Sequence, residues 1–321
     1  MDYFNFMFYN GKIINNNYFN NYQEFQYLLN PKCIYTINES NSGVNSLLLI
    51  DKFKLCASYD DGLIKIFDLN NYNCLYILEG HSSPVLSISL MLNKNIISGS
   101  CDKKIKIWEL INDKYINIKT IEGHEDTIEK VIQLKNSIIV SCSADGNIRF
   151  WNENNNYKCV KTLNVNDENI SSLLEINNNK IVAGTVKLFT GKIMIINSNF
   201  QIETIFHGIT CNWNNGLQIF DKDRILICSN TEIYILNIKT MFIEKILNQR
   251  IYIGPIYKLN DEIIAIGFFD ESSFKLINYK TNEICSEIKG EHKQEILGII
   301  KINNKKFATC SKDNTIKIWK Y

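Results

Sequence analysis

"SGSCDKKIKIW", Ser98 to Trp108, holds a serine, an aspartate (Asp102) and a closing tryptophan, and His81 lies seventeen residues ahead of Ser98. Serine, aspartate and histidine are the parts of a nucleophilic triad. The stretch therefore poses a choice between an active site and a structural element, and the number of copies decides it. His81, Asp102 and Trp108 are spaced 21 and 6 residues apart; so are His124, Asp145 and Trp151, and so are His292, Asp313 and Trp319. Four residues before each aspartate stands Ser98, Ser141 or Thr309. An active site needs its triad once. Three copies, each ending in tryptophan, read as a structural repeat.

The repeat extends beyond the three complete copies. "LIKIFD" (63–68), "KIKIWE" (104–109), "NIRFWN" (147–152) and "TIKIWK" (315–320) share one pattern, followed more faintly by runs ending at Asn197, Asn237 and Asn278. The last apolar residues of the seven runs are Phe67, Trp108, Trp151, Ile196, Leu236, Ile277 and Trp319, at steps of 41, 43, 45, 40, 41 and 42 residues. A fixed period in this range marks a repeat architecture. Each unit carries four short apolar runs separated by polar turns, with no long helical pattern, which predicts an all-β array. The third run is apolar on both faces apart from one basic residue (Lys65, Lys106, Arg149 or Lys317), so its stem is expected to be buried with the head group in water.

"CIYTI" at Cys33 resembles "CLYIL" at Cys74, "CVKTL" at Cys159 and "CSEI" at Cys285, which mark the fourth strand of a unit. The copy at Cys33 has no unit in front of it, and the seventh unit ends at Tyr321 straight after its third strand. Residues 32–38 are therefore expected to complete the last unit and close the array into a ring, removing its open edges.

With Gly80-His81 and Gly123-His124 as glycine–histidine dipeptides, the units resemble WD40 repeats. The resemblance covers about residues 32–321 and is fullest in units two, three and seven. It implies a seven-bladed β-propeller and assigns the histidine, Ser/Thr, aspartate and tryptophan of each full unit to a hydrogen-bonded structural network. Unit one keeps Asp61 and Gly62 but has Phe67 for tryptophan; in units four to six His207-Gly208 is reversed, and Glu271 is the only acidic residue at the aspartate position. The resemblance further implies a non-catalytic scaffold that binds other proteins through its narrow face. The positions it points to are Ser82, Pro84, Cys101, Glu125, Thr127, Ala144, Lys293, Glu295 and Lys312. A substrate-recognition subunit, of ubiquitin-ligase or phosphopeptide-reader type, is the alternative, and an enzyme using the central channel is a third.

Composition agrees with an ordinary globular chain: 321 residues, 35 basic against 34 acidic side chains, and a formal charge of +1. That balance gives no electrostatic reason to expect nucleic acid or an anionic membrane as partner. The start lacks the pattern of a signal peptide, and no apolar run has the length of a membrane span. Ten cysteines without a CxxC pair read as reduced thiols of a cytoplasmic or nuclear protein. No metal, nucleotide or cofactor motif is present.

Two features stand apart. Trp213 is the one tryptophan outside the third-run position and either packs in the core or as a wedge between units, or is an exposed anchor for a partner. The first thirty residues hold ten aromatics. Phe4, Phe6 and Phe8 alternate before Asn10-Gly11, a hairpin signal, and Tyr18, Tyr22, Phe25 and Leu29 follow at helical spacing up to Pro31. Residues 1–31 are thus expected to form an extension of residues 32–321, packed on the ring's rim or docking onto a larger assembly.

Overall fold

A computed structural model describes residues 30–321 except 166–168, 177–178, 188–189, 212–215, 249–251 and 270, together with the backbone pairing of Met7–Tyr9 with Lys12–Ile14. That pairing runs Met7↔Ile14 to Tyr9↔Lys12 and brackets Asn10-Gly11. The expected helical stretch at 18–29 and Trp213 lie outside the described residues.

Seven four-stranded antiparallel sheets follow one another along the chain. In blade two the strands are Val85–Leu90, Ile96–Ser100, Ile105–Ile111 and Lys114–Ile121, in that spatial order. The seventh blade is a composite: Ile296–Asn303, Lys306–Ser311 and Ile316–Lys320 are completed by Lys32–Ile37 from the other end of the chain. The fold is a seven-bladed β-propeller closed by its N-terminal strand. Cys33 pairs opposite Trp319 as Cys74 pairs opposite Phe67 and Cys159 opposite Trp151.

Burial explains why the ring holds. Seven apolar clusters each draw on two successive blades. One joins blade seven to blade one through Ile37, Ile316 and Ile318 against Leu55, Ala57 and Phe67. Another joins blades one and two around Trp108. Removing this surface from water on both faces of every sheet is the main favourable term of the fold. The outermost strands face the edge problem differently. Every fourth strand carries a register shift, as at Ile66/Phe67, Ile107/Trp108 and Phe150/Trp151, and a bulge there twists the edge and interrupts its ladder.

The third-strand basic residues depart from expectation in one respect. Lys65 is 7% exposed, and its ammonium bonds the carbonyl of Glu39, while that of Lys106 bonds the Thr120 hydroxyl. The fourth strand and the loop beyond it reach far enough to offer acceptors, so these head groups find protein oxygen before water.

Candidate functional site

The three repeated sets superpose in their chemistry. In blade two, His81 Nδ1 lies 2.7 Å from Asp102 Oδ2 and Nε2 lies 2.8 Å from Ser98 Oγ, while the Trp108 indole N–H donates to the same Oγ at 2.8 Å. Blade three repeats this with His124, Asp145, Ser141 and Trp151 at 2.8, 2.7 and 2.9 Å. Blade seven repeats it with His292, Asp313, Thr309 and Trp319 at 2.8, 2.7 and 2.8 Å. In blades two and three the glycine before the histidine has a steric cause, while blade seven carries Glu291 there. A Cβ on Gly123 would come 2.9 Å from the Trp151 ring, and one on Gly80 3.2 Å from Trp108.

A carboxylate oxygen only accepts, so Nδ1 carries a proton; in the neutral ring Nε2 then accepts from the hydroxyl. This is the proton arrangement of a serine hydrolase. What differs is access. Ser98, Ser141 and Thr309 have no exposed surface, and the indole N–H occupies the remaining side of each hydroxyl oxygen. No substrate carbonyl can approach an oxygen sealed in this way.

Each aspartate ties the set to the surface. Asp102 Oδ2 also accepts from the Ser82 amide and Oδ1 from the Lys104 amide, at 3.1 and 2.9 Å. Burial pushes the Asp102 carboxyl up, but the His81 hydrogen bond and charge with these two amides outweigh it and hold it below the usual carboxylate range. The same opposition of burial against histidine and amides leaves Asp145 and Asp313 well below that range.

Where the tryptophan is missing the hydroxyl is missing too. Ser98, Ser141 and Thr309 pair across the strands with Lys106, Arg149 and Lys317. The same register in blades one, four, five and six holds Ala57, Ala183, Ile227 and Ile266. Their tryptophan positions hold Phe67, Ile196, Leu236 and Ile277, all buried. Donor and acceptor have been exchanged together for apolar groups, which leaves no orphaned partner. His207 ends an outer strand and is exposed, unlike the three buried histidines, and Glu271 lies near Ser273 and Lys289.

The surface positions named from the sequence come together in pairs. The Cys101 amide donates to the Pro84 carbonyl, Ala144 to Thr127 and Lys312 to Glu295, at 2.9, 2.9 and 3.0 Å. Ser82, Glu125 and Lys293 are exposed, and each gives its amide to the turn aspartate of its blade. Glu295 is exposed as well, and Pro84, Cys101, Thr127, Ala144 and Lys312 are half-buried. Burial raises the Cys101 thiol, against a hydrogen bond from Thr127 of the next blade, so it stays protonated near neutrality. Lys312 is committed elsewhere: its ammonium pairs with Asp60 of blade one. From the sequence Asp60 reads only as a solvated turn carboxylate beside Asp61, and Asn45 was not singled out. Asp60 precedes Asp61 as Lys312 precedes Asp313, and that register was the available signal.

Among the described residues no group of three or more histidines, cysteines or acids is placed to hold a metal ion, and no helix is long and apolar enough to cross a membrane.

The family-model comparison falls on the same units. The family model "WD domain, G-beta repeat" matches residues 72–109, 116–152 and 285–320, the units with complete sets. Myosin heavy chain kinase A of Dictyostelium discoideum is 41% identical over 78 residues, 24% of this chain and 7% of that protein. Probable coatomer subunit beta' of Schizosaccharomyces pombe is 37% identical over 83 residues, 24% of this chain and 10% of that protein. The chain thus matches only a small part of these relatives' length. The solved WD40 beta propeller domain of Doa1 aligns over 91% of this chain and 97% of its own, with a TM-score of 0.75 and 16% identity, a likeness of fold.

Proposed function

We propose, from the premise that this chain belongs to the WD40-repeat β-propeller family, that it is a non-catalytic platform holding other proteins together in a larger complex. WD40 propellers generally bind proteins, and the partners of this one are to be sought on the loops that carry the histidines and turn aspartates. The observation that carries this reading is the enclosure of all three hydroxyls beneath an indole N–H. The sets then fix the loops in place, so that Ser82, Glu125, Lys293 and Glu295 are presented at set positions and binding orders little new structure.

A phosphopeptide-reading recognition subunit would need a cluster of basic groups on this face. The engagement of Lys312 by Asp60 lends that alternative less support. Ten free cysteines suit a reducing compartment such as the cytoplasm.

The test is capture by the immobilised full chain beside a variant carrying Ser82→Arg, Glu125→Lys and Glu295→Lys. The platform reading expects proteins held by the first and lost by the second, with unchanged unfolding midpoints. Hydrolysis of an ester or amide that disappears on Ser98→Ala, in protein that remains folded at the assay temperature, would overturn it.

A further inference from the structure

Blade seven carries three lysines side by side at the end of its strands away from Asp313. Lys306 of the second strand is directly opposite Lys320 of the third, and Lys320 is directly opposite Lys32 of the closing strand. Directly opposed residues point to one face of a sheet, and like charges placed in this way work against the fold. Strands about 4.8 Å apart set the three stems in a row about 10 Å across. Lys305 stands in the turn beside it. Elsewhere the position after the tryptophan holds Asp68, Glu109, Asn152, Asn197, Asn237 or Asn278. In five of these six the side-chain oxygen accepts from an amide of the turn that follows. Blade seven takes its last strand from the other end of the chain and needs no such cap. That frees residue 320, but it does not account for a third lysine beside two others.

No acid answers the row. Among the described residues none of Lys32, Lys305, Lys306 and Lys320 has a carboxylate within 4.0 Å, whereas Lys312 and Lys317 of the same blade pair with Asp60 and Glu291. The row faces blade one, where the Lys306 ammonium lies 3.5 Å from the Tyr72 hydroxyl and Tyr35 stacks on the Tyr72 ring. The turn at 70–73 around Tyr72 holds no acid. Asp51 and Asp68, the acids of blade one at this level, each stand opposite Lys54 and each accept from a backbone amide of their own turn. Lys32, Lys305 and Lys320 are exposed, and Lys306 is half-buried.

We propose that this row docks an acidic segment of a partner protein, a run of aspartates or glutamates in extended conformation. It goes beyond the platform reading, whose loops lie at the opposite end of the strands. Charge complementarity names the partner, since the row offers several ammoniums and no competing carboxylate. Shape narrows it further. Lys306 is half-buried in the junction between blades seven and one, beside the Tyr35–Tyr72 stack, which a chain can enter and a flat bilayer cannot. An extended chain advances about 3.4 Å per residue, so about three or four residues span the row. Carboxylates spaced along a chain call for mobile point charges and not for a fixed fork, which suits lysine.

The full chain is titrated at low salt into fluorescein-labelled octaglutamate, and binding is read by anisotropy. One variant carries Lys32→Gln, Lys306→Gln and Lys320→Gln. A second, with the same change of charge, carries Lys94→Gln, Lys158→Gln and Lys161→Gln, all exposed on blades two and three. The row variant is expected to bind about tenfold more weakly than the unaltered chain, the worth of three exposed ion pairs, and the second variant to stay within about twofold of it. The urea midpoint of the row variant should hold or rise, because opposed like charges have been removed. Absence of binding by the full chain, equal weakening in both variants, or a lowered midpoint in the row variant overturns the proposal. Retention of the full chain on phosphatidylserine vesicles that the row variant loses, with no binding of the peptide, would give the row to a membrane and overturn it too.

Discussion

Lys312 of blade seven sets its ammonium 2.7 Å from both carboxylate oxygens of Asp60 in blade one. Asn45 closes the triangle, donating to Asp60 at 3.0 Å and accepting from Lys312 at 3.1 Å. The pair spans the junction at which the two ends of the chain meet. Its side chains are about one-third exposed, 35% and 33%, so water screens it and its worth is modest. A double-mutant cycle with Lys312→Met and Asp60→Asn should give a coupling of about 0.5–1 kcal/mol in urea unfolding at low salt. The coupling should shrink as salt is raised. A coupling of zero at low salt would mean the junction is held by its apolar cluster alone.

The hydroxyl in each set is where one donor, the indole N–H, and one acceptor, the imidazole Nε2, meet, and its removal should be costly. Ser98→Ala strands the Trp108 indole N–H and His81 Nε2 in a buried site, and a loss of about 2–3 kcal/mol is expected. Ser98→Thr should cost under about 1 kcal/mol, because blade seven uses Thr309 with equivalent bonds at 2.7 and 2.8 Å. Combining Ser98→Ala with Trp108→Phe, the pairing that blade one has in Ala57 and Phe67, should cost less than the sum of the two single changes. Urea midpoints of the variants check all three.

Acid should act through the turn aspartates. Asp102, Asp145 and Asp313 have folded pKa values below their unfolded ones, so below about pH 4 the unfolded chain binds more protons. Their stabilisation is complete above that pH and is lost as pH falls through the lower folded values. Glu129 has the opposite sign. It is 7% exposed, and burial, with the Asn169 bond opposing and the Asp126 charge assisting, raises it to about 7. Its contribution is complete below about pH 4 and declines as pH rises toward 7. Glu129→Gln should therefore flatten the slope of stability between pH 5 and 7 and leave the acid limb intact. Asp102→Asn should do the reverse. Urea midpoints from pH 2 to 8 separate the two, and a slope between pH 5 and 7 that survives Glu129→Gln would place its origin elsewhere.

The parts of this molecule that the sequence displays are those in which one chemical solution recurs at one spacing. His81, Ser98, Asp102 and Trp108 are legible because His124 and His292 head the same pattern, and the closing strand is legible because Cys33 repeats Cys74 and Cys159. The apolar units could be counted by period although their polar sets are gone, since Ile196, Leu236 and Ile277 keep the tryptophan position filled. Contacts between blades leave no such trace. Lys312 and Asp60 lie 252 residues apart and belong to the two blades that ring closure brings together. The row of Lys306, Lys320 and Lys32 likewise emerges only once closure sets residue 32 beside residue 320.

The closing strand offers the sharpest division of the chain. Residues 32–37 satisfy the outer side of Ile316–Lys320, and Ile37 is 2% exposed within the cluster that joins blades seven and one. Tyr35 stacks on Tyr72 of blade one with ring centroids 4.3 Å apart. A chain beginning at residue 30 keeps all of these contacts and should unfold in one cooperative step within a few degrees of the full chain. A chain beginning at residue 38 loses them, exposes Ile318 and Trp319, and leaves the third strand of blade seven as a bare edge. That chain is expected to self-associate, visible as a higher mass by light scattering, and to unfold at a markedly lower temperature. If it stayed monomeric with an unchanged midpoint, closure by Lys32–Ile37 would not be what holds the ring together.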